Sequence, residues 1–239
     1  MLELSQTSRP VIEATLPVVG ENIGKIADRF YQHLFGEHPE LLDGTFNRGN
    51  QAEGTQQQAL AGSVAMFASA LVSHPEHLPE HLLSRVAHKH ASLGIRADQY
   101  QVVYDNLMWA IVDVLGEAVT PEVANAWSEV YWLMAFALIN EERGLYSARG
   151  VRPETVWRDW QVTDKIRQTD DVVIFRVKRI DDRLVRTSLP GQYSQTGACT
   201  SSCPFSTRVS IARLVIVFVV DQTLTIVSCV QGVVLASSR

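Results

Sequence analysis

The sequence has few cysteines, and it lacks an apolar leader at its amino terminus. Cys199, Cys203 and Cys229 all lie in the last fifth of the chain. The preceding part is therefore neither a disulfide scaffold nor a thiolate metal site. The opening residues mix glutamate, arginine and proline with apolar side chains, which is unlike a secretory signal. We therefore expect a cytoplasmic protein.

The sequence also lacks an excess of positive charge. Its 239 residues include 21 lysines and arginines against 26 aspartates and glutamates, which gives a formal net charge of -5. Proteins that bind nucleic acid gain affinity by neutralising phosphates, so a nucleic-acid partner is not expected. The hydrophobic fraction of 46% is typical of folded globular proteins.

Helical spacing dominates residues 1–147. From about Ser8 to Tyr146 the apolar residues recur every three or four positions, and Gly94 and Gly116 are among the turn residues that separate the segments. We therefore predict a mainly α domain. Three of its helices are predicted to bury Ile23, Ala27, Phe30, Tyr31 and Leu34; Leu60, Val64, Phe67 and Leu71; and Val123, Trp127, Tyr131, Met134 and Leu138.

The pattern changes near Gly150. Residues 148–156 are predicted to form a linker. Residues 157–165 and 171–179 are rich in β-branched and aromatic residues with polar alternation, which predicts two strands. The segment 157–193 closes with a Pro-Gly turn just before Tyr193.

Residues 194–239 differ in composition from the rest of the chain. They contain no Lys, Glu, His, Asn, Met, Trp or Tyr, and their one acidic residue is Asp221. Three interpretations are open: a divergent barrel, a membrane segment, or residues encoded out of the ancestral reading frame. A membrane span needs about twenty largely apolar residues, and polar residues interrupt the run over 211–236. The abrupt loss of common residue types favours frame disruption.

The helix predicted over residues 80–92 separates its histidines by face. His90 shares a face with Leu83 and Val86, whereas His81 and His88 fall on the opposite, polar face. His90 is therefore predicted to point inward. Two interpretations remain open for it: a core histidine with a hydrogen-bond partner, or an axial metal ligand.

A second group of histidines, His74, His77 and His81, crowds a short stretch of the chain. Three imidazoles in one place suggest zinc. Pro75 and Pro79 interrupt any helix that would align them, so zinc is the weaker hypothesis here.

Four polar residues fall on predicted apolar faces. Gln56 precedes Leu60 by one turn, and Tyr31 lies within the first stripe. Tyr100 opens a further stripe, and Glu142 ends the last one. For Gln56 and Tyr31, each taken singly, the favoured interpretation is an ordinary buried polar group with a backbone partner. An ionised glutamate at the end of an apolar stripe must find a hydrogen-bond donor or stay at the rim of the core. A histidine ligand would be such a donor.

Five short motifs bear on this choice. They are Arg-Phe-Tyr-Gln at 29–32, Phe-Asn-Arg-Gly-Asn-Gln at 46–51, Gln-Gln-Gln-Ala-Leu at 56–60, Lys-His-Ala-Ser at 89–92 and Ala-Asp-Gln-Tyr at 97–100. In order and spacing they resemble the bacterial flavohaemoglobin family. The resemblance spans residues 1 to about 193.

The resemblance implies a globin domain that holds haem b, followed by the start of a ferredoxin-reductase-like FAD-binding barrel. It implies that His90 is the proximal iron ligand and that Tyr100 and Glu142 form a catalytic relay beside it. The remaining implied roles are a distal pocket lined by Tyr31, Gln56 and Leu60, packing of Phe46 on the porphyrin, and redox tuning by Lys89 and Tyr31.

The resemblance also implies an activity, that of a nitric oxide dioxygenase. Such an enzyme oxidises nitric oxide to nitrate with dioxygen, and takes electrons from NAD(P)H through FAD. Tyr193 would contact the flavin. The chain departs from the family here, because no Arg-x-Tyr-Ser motif and no glycine-rich nicotinamide-binding turn follow Tyr193. The alternative is a truncated globin that binds dioxygen or nitric oxide and depends on an external reductase.

Overall fold

The computed structural model describes residues 3–42, 55–156, 160–169, 172–181, 214–220 and 223–229. The chain divides into two compact units, Met1–Val156 and Trp157–Arg239. Among the described residues, the first unit is helical and the second contains strands.

The described part of the first unit contains six α-helices. Short 3₁₀ helices follow α2 and α5, and a third lies at Pro153–Thr155 after α6. The α-helices are α1 (Ser8–Glu21), α2 (Ile23–Glu37), α3 (Thr55–Ser73), α4 (Glu80–Leu93), α5 (Gln99–Leu115) and α6 (Pro121–Arg149).

Local sequence signals set the ends of the two helices that matter most for the site. Thr120 caps α6 by accepting a hydrogen bond from the Val123 N–H, with Pro121 at the first helical position. Gly94 and Gly150 follow α4 and α6 with φ of +77° and +62°. Glycine adopts this left-handed conformation without the cost that other residues incur there.

The core of the first unit lies between packed helices. Contacts join α1 to α6, α2 to α5, α2 to α3 and α4 to α6. Trp127 of α6 is fully buried, and its indole Nε1 donates to Thr15 Oγ1 of α1 at 3.0 Å. The largest of the other fully buried side chains are Phe30, Phe67, Ile12, Ile26, Leu34, Leu71 and Val130.

The described residues of the second unit form a four-stranded antiparallel sheet in the order β1-β2-β4-β3. Its strands are β1 (Trp160–Arg167), β2 (Val172–Arg179), β3 (Leu214–Val220) and β4 (Thr223–Cys229). The first two correspond to the predicted strands. The compositionally unusual segment contributes β3 and β4. Strand β4 pairs with β2, and β3 pairs with β4. The composition of the segment revealed neither pairing. The hypothesis of frame disruption concerns the gene and stays a prediction.

In the parts of the chain that the structure describes, no helix combines the length and the apolar character that a bilayer span requires.

Candidate functional site

Helix α4 presents His90 on its buried side. Leu83 and Ala87 of this helix are buried, and His90 follows them one turn later with its side chain 28% exposed. His81 and His88 are exposed. The helical period therefore places one histidine of α4 at the edge of the core and two in solvent.

The His90 imidazole meets two polar side chains from other helices. Its Nδ1 lies 2.7 Å from Glu142 Oε1 and 2.9 Å from Tyr100 Oη. The Tyr100 hydroxyl donates to the same Glu142 Oε1 at 2.5 Å. Because the carboxylate oxygen can only accept, Nδ1 carries the proton in this arrangement. The lone pair of the neutral ring is then on Nε2.

Burial strengthens the electrostatic interactions within this triad. Glu142 is 2% exposed and Tyr100 is 6% exposed. Burial, followed by the negative charge of Glu142, raises the pKa of the Tyr100 phenol far above its ordinary value. Tyr100 therefore remains a neutral hydrogen-bond donor to the carboxylate.

The backbone of Tyr100 is held by a further tyrosine. The hydroxyl of Tyr131 donates to the Tyr100 carbonyl at 2.6 Å. Burial raises the pKa of Tyr131, so this hydroxyl also stays protonated. The sequence predicted only that Tyr131 belongs to an apolar stripe. Its hydrogen bond to Tyr100 is found only in the structure.

Tyr31 lies on the buried face of α2 and is 4% exposed. Its ring packs edge-on against Phe30, with the ring centroids 4.8 Å apart, and in a tilted arrangement against Phe35, with the centroids 5.5 Å apart. Burial raises the pKa of the Tyr31 phenol, which keeps the hydroxyl protonated. Leu60 of α3 is partly buried and packs against the core to which Tyr31 belongs.

The other predicted site residues are placed only in part. Phe46 and Tyr193 lie outside the described residues, and Gln56 belongs to α3 with a side chain that lies outside them. The Lys89 side chain reaches the surface, yet the surrounding protein lowers the pKa of its amine by restricting hydration.

Sequence reasoning also overlooked Tyr146. Its hydroxyl donates to the Ile95 carbonyl at 2.8 Å, at the turn that follows α4. A signal for it existed, because Tyr146 comes one helical turn after Glu142 and therefore shares its face of α6.

The described residues hold no group of three or more His, Cys, Asp or Glu side chains suited to binding a metal ion. His74, His77 and His81 are exposed and do not form such a group. His90 is a single imidazole with an orienting carboxylate, an arrangement suited to a metal that brings its remaining ligands with it.

Similarity to known proteins now adds to this geometry. The chain is 39% identical over 192 residues to a flavohemoprotein of Bordetella parapertussis, covering 80% of this chain and 47% of that protein. It is 37% identical over 193 residues to a flavohemoprotein of Halalkalibacterium halodurans, covering 80% and 46%. The chain is therefore similar to flavohemoproteins over 80% of its own length.

The chain spans about half the length of the curated relatives it matches. No family model matches it. A bacterial globin from Campylobacter jejuni superimposes with a TM-score of 0.54 at 26% identity, covering 60% of this chain and 99% of the globin. The helical unit therefore has the globin fold.

A flavohemoglobin structure from Malassezia yamatoensis, described with bound FAD and heme, resembles the chain over a greater length. The TM-score is 0.82 at 35% identity, and the match covers 98% of this chain and 60% of that one.

Proposed function

We propose that the helical unit binds haem b through Nε2 of His90 and serves the oxidation of nitric oxide to nitrate by dioxygen. The observation that carries this proposal is the hydrogen bonding of His90 Nδ1 to Glu142 and Tyr100. The names of the relatives, which are flavohemoproteins, support it.

The residues present fit a haem. Nδ1 of His90 is satisfied by a buried carboxylate, which leaves Nε2 as the electron-pair donor. The side chain is 28% exposed, so the ring is not enclosed by the described protein. A porphyrin provides the in-plane ligands of iron, and a single imidazole suffices from the protein.

Glu142 and Tyr100 act on the donor strength of His90. A carboxylate that accepts the Nδ1 proton makes the opposite nitrogen more basic and fixes the ring orientation. The Tyr100 hydroxyl holds the carboxylate in place at 2.5 Å. When bound, haem would supply the iron chemistry of dioxygen and nitric oxide.

Tyr31 is proposed as the distal donor, together with Gln56. Its hydroxyl is buried and stays protonated because burial raises its pKa. A buried O–H can stabilise negative charge that develops on a small ligand. Leu60 would limit the volume of this pocket, Phe46 would pack on the porphyrin, and Lys89 would tune its redox behaviour.

The second unit is proposed to supply electrons from NAD(P)H through FAD, with Tyr193 against the flavin. The flavohemoglobin from Malassezia yamatoensis, which carries FAD, supports this part of the proposal. We place the protein in the cytoplasm, where dioxygen and nitric oxide reach it by diffusion.

A second function is favoured by one observation on the sheet. Among the described strands, β1 and β3 each have a neighbour on one side only, so the described part of the sheet has two edge strands. A flavin site built on it needs residues beyond those strands. The alternative is a globin that binds dioxygen or nitric oxide and receives electrons from an external reductase.

The haem proposal is tested by spectroscopy of the full chain reconstituted with haem. The wild type and His88→Ala should both show a Soret band, because His88 is exposed. His90→Ala should lose the band or require added imidazole for it. Equal bands in all three proteins would contradict ligation by His90.

The two functions are separated by nitric oxide consumption. With NADH as the electron source, continuous consumption by the full chain alone supports the self-sufficient dioxygenase. A single turnover that becomes continuous only after a ferredoxin-type reductase is added supports the globin with an external partner.

A further inference from the structure

We infer that Tyr146 is a positioning residue for His90, because its hydroxyl fixes the turn at the carboxyl end of α4. A role of Tyr146 in iron ligation rests on the proposed function. The contacts of Tyr146 that are described below are formed by residues of the protein itself.

Two hydrogen bonds in series connect Tyr146 to the backbone of His90. The Tyr146 hydroxyl donates to the Ile95 carbonyl at 2.8 Å. The Ile95 N–H in turn donates to the His90 carbonyl at 3.1 Å. Tyr146 is 8% exposed, so water competes little for its hydroxyl. The hydroxyl thereby holds the residue whose amide closes the last turn of α4.

Helix α6 consequently holds His90 at two points. Glu142 binds the imidazole, and Tyr146, four residues later on the same face, holds the turn that ends at His90's carbonyl. A side chain fixed at its tip alone can still swing with its backbone. Fixing both the tip and the backbone restricts the direction in which Nε2 points.

The same turn is enclosed on another side by the segment after α6. A Cβ at Gly94 would come within 2.7 Å of the Pro153 carbonyl oxygen. The Tyr146 carbonyl accepts the Val151 N–H at 3.1 Å, which directs the chain into that segment. Tyr146 therefore contacts the turn after α4 through its hydroxyl and the start of the enclosing segment through its carbonyl.

The hydroxyl keeps its donor role over the ordinary pH range. Burial, followed by the negative charges of Glu142 and Glu154, raises the pKa of Tyr146 above its usual value. The donor is thus a neutral phenol, and replacement by phenylalanine removes one hydrogen bond while keeping the ring.

The test compares Tyr146→Phe with Tyr104→Phe in the full chain. Tyr104→Phe also removes a hydroxyl contact between helices, with Ser128 Oγ at 2.9 Å, and the Tyr104 ring packs against Tyr131 and Trp132 of α6. In the haem-free protein, the amides of residues 91–95 should exchange with solvent about two- to tenfold faster in Tyr146→Phe. Tyr104→Phe should leave those amides unchanged.

A second measurement reports the imidazole itself. The low-field proton resonance of His90 Nδ1–H, bound to Glu142, should shift or broaden in Tyr146→Phe and not in Tyr104→Phe. After haem is added, the iron–histidine stretching band should broaden in the same variant only.

These measurements test the role of Tyr146 and the haem proposal separately. Unchanged amide exchange in Tyr146→Phe would overturn the inference, and so would faster exchange with an unchanged Nδ1–H resonance. Absence of an iron–histidine band in the wild type would instead contradict the haem proposal. In that case the two haem-free measurements still decide whether Tyr146 positions His90.

Discussion

The helical unit and the strand unit bury their side chains in different ways. In the first unit, large side chains from several helices are fully buried, and a glutamate–tyrosine–histidine triad lies at the edge of that core. In the second, every residue from 161 to 169 is exposed, and Phe175 and Val177 of β2 are buried. A side-chain core fixes a polar site, whereas β1 of the strand unit exposes most of its side chains and is joined to β2 by backbone hydrogen bonds.

The largest difference between the units should appear when side chains are truncated. Trp127→Ala should lower the free energy of unfolding of the helical unit by about 3–5 kcal/mol, since it leaves a cavity and removes the bond to Thr15. Val162 in β1 has a side chain that is 41% exposed. Val162→Ala should change the free energy of unfolding of the strand unit by less than about 0.5 kcal/mol. Urea unfolding followed by circular dichroism measures both.

Phe136→Ala is the matched control for Trp127→Ala, because Phe136 lies on the same helix and is 54% exposed. A loss of stability as large as that of Trp127→Ala would show that aromatic content, and not burial, stabilises α6.

The next effect concerns the turn after α4. Gly94→Ala should lower stability by about 1–2 kcal/mol, because alanine is strained at a φ of +77°. The close approach of Pro153 adds to this cost. Gly144→Ala, inside α6 with open space around its Cα, should raise stability by about 0.5–1 kcal/mol. Thermal unfolding of both variants tests the pair, and a gain for Gly94→Ala would contradict the conformation of the turn.

A smaller effect is expected from Glu142→Gln. The amide keeps the shape and removes the charge, so the hydrogen bond from His90 Nδ1 weakens by about 1 kcal/mol. Under the proposed function, the iron becomes easier to reduce and the ferrous iron–imidazole bond becomes weaker. Reductive titration and resonance Raman spectroscopy measure these changes.

Glu141→Gln is the control for that variant, since Glu141 precedes Glu142 and lies on another face of α6. An identical potential and stretching frequency in Glu142→Gln and the wild type would show that the carboxylate does not tune His90.

The smallest expected effect is electrostatic and compares two surface ion pairs. Arg29 lies 2.6 Å from Asp113 in the helical unit, and its guanidinium lowers the pKa of that carboxyl below 3.8. The resulting stability is present above that pH and is lost as pH falls through the lowered pKa. In Arg29→Gln, the free energy of unfolding should therefore fall slightly less steeply as the pH is lowered through the acid range. The difference from the wild type should be smaller at high salt.

In the strand unit, a guanidinium nitrogen of Arg176 lies 3.6 Å from Asp164 Oδ2, and both side chains are about half exposed. Arg176→Gln should therefore change the pH dependence of the free energy of unfolding still less. A larger change in Arg176→Gln than in Arg29→Gln would reverse the comparison between the units.

The sequence predicted the helices and the first two strands because their signals are local. The inward direction of His90 follows from its spacing to Leu83 on one helix. The pairing of β2 with β4 could not be predicted in this way, because it joins Phe175 to Ile226 across a long stretch of chain. Nothing in the local composition of either strand specifies that partner.

For the site, the sequence by itself determined that His90, Tyr100 and Glu142 each lie on a buried helix face, since the 3.6-residue period fixes a face from neighbours alone. Only the tertiary structure decided that Glu142, 52 residues from His90, contacts its Nδ1, and that Tyr146 holds the turn after α4. Distance along the chain does not encode distance in space. Contacts between helices depend on how their side chains pack together, which is a property of the whole core.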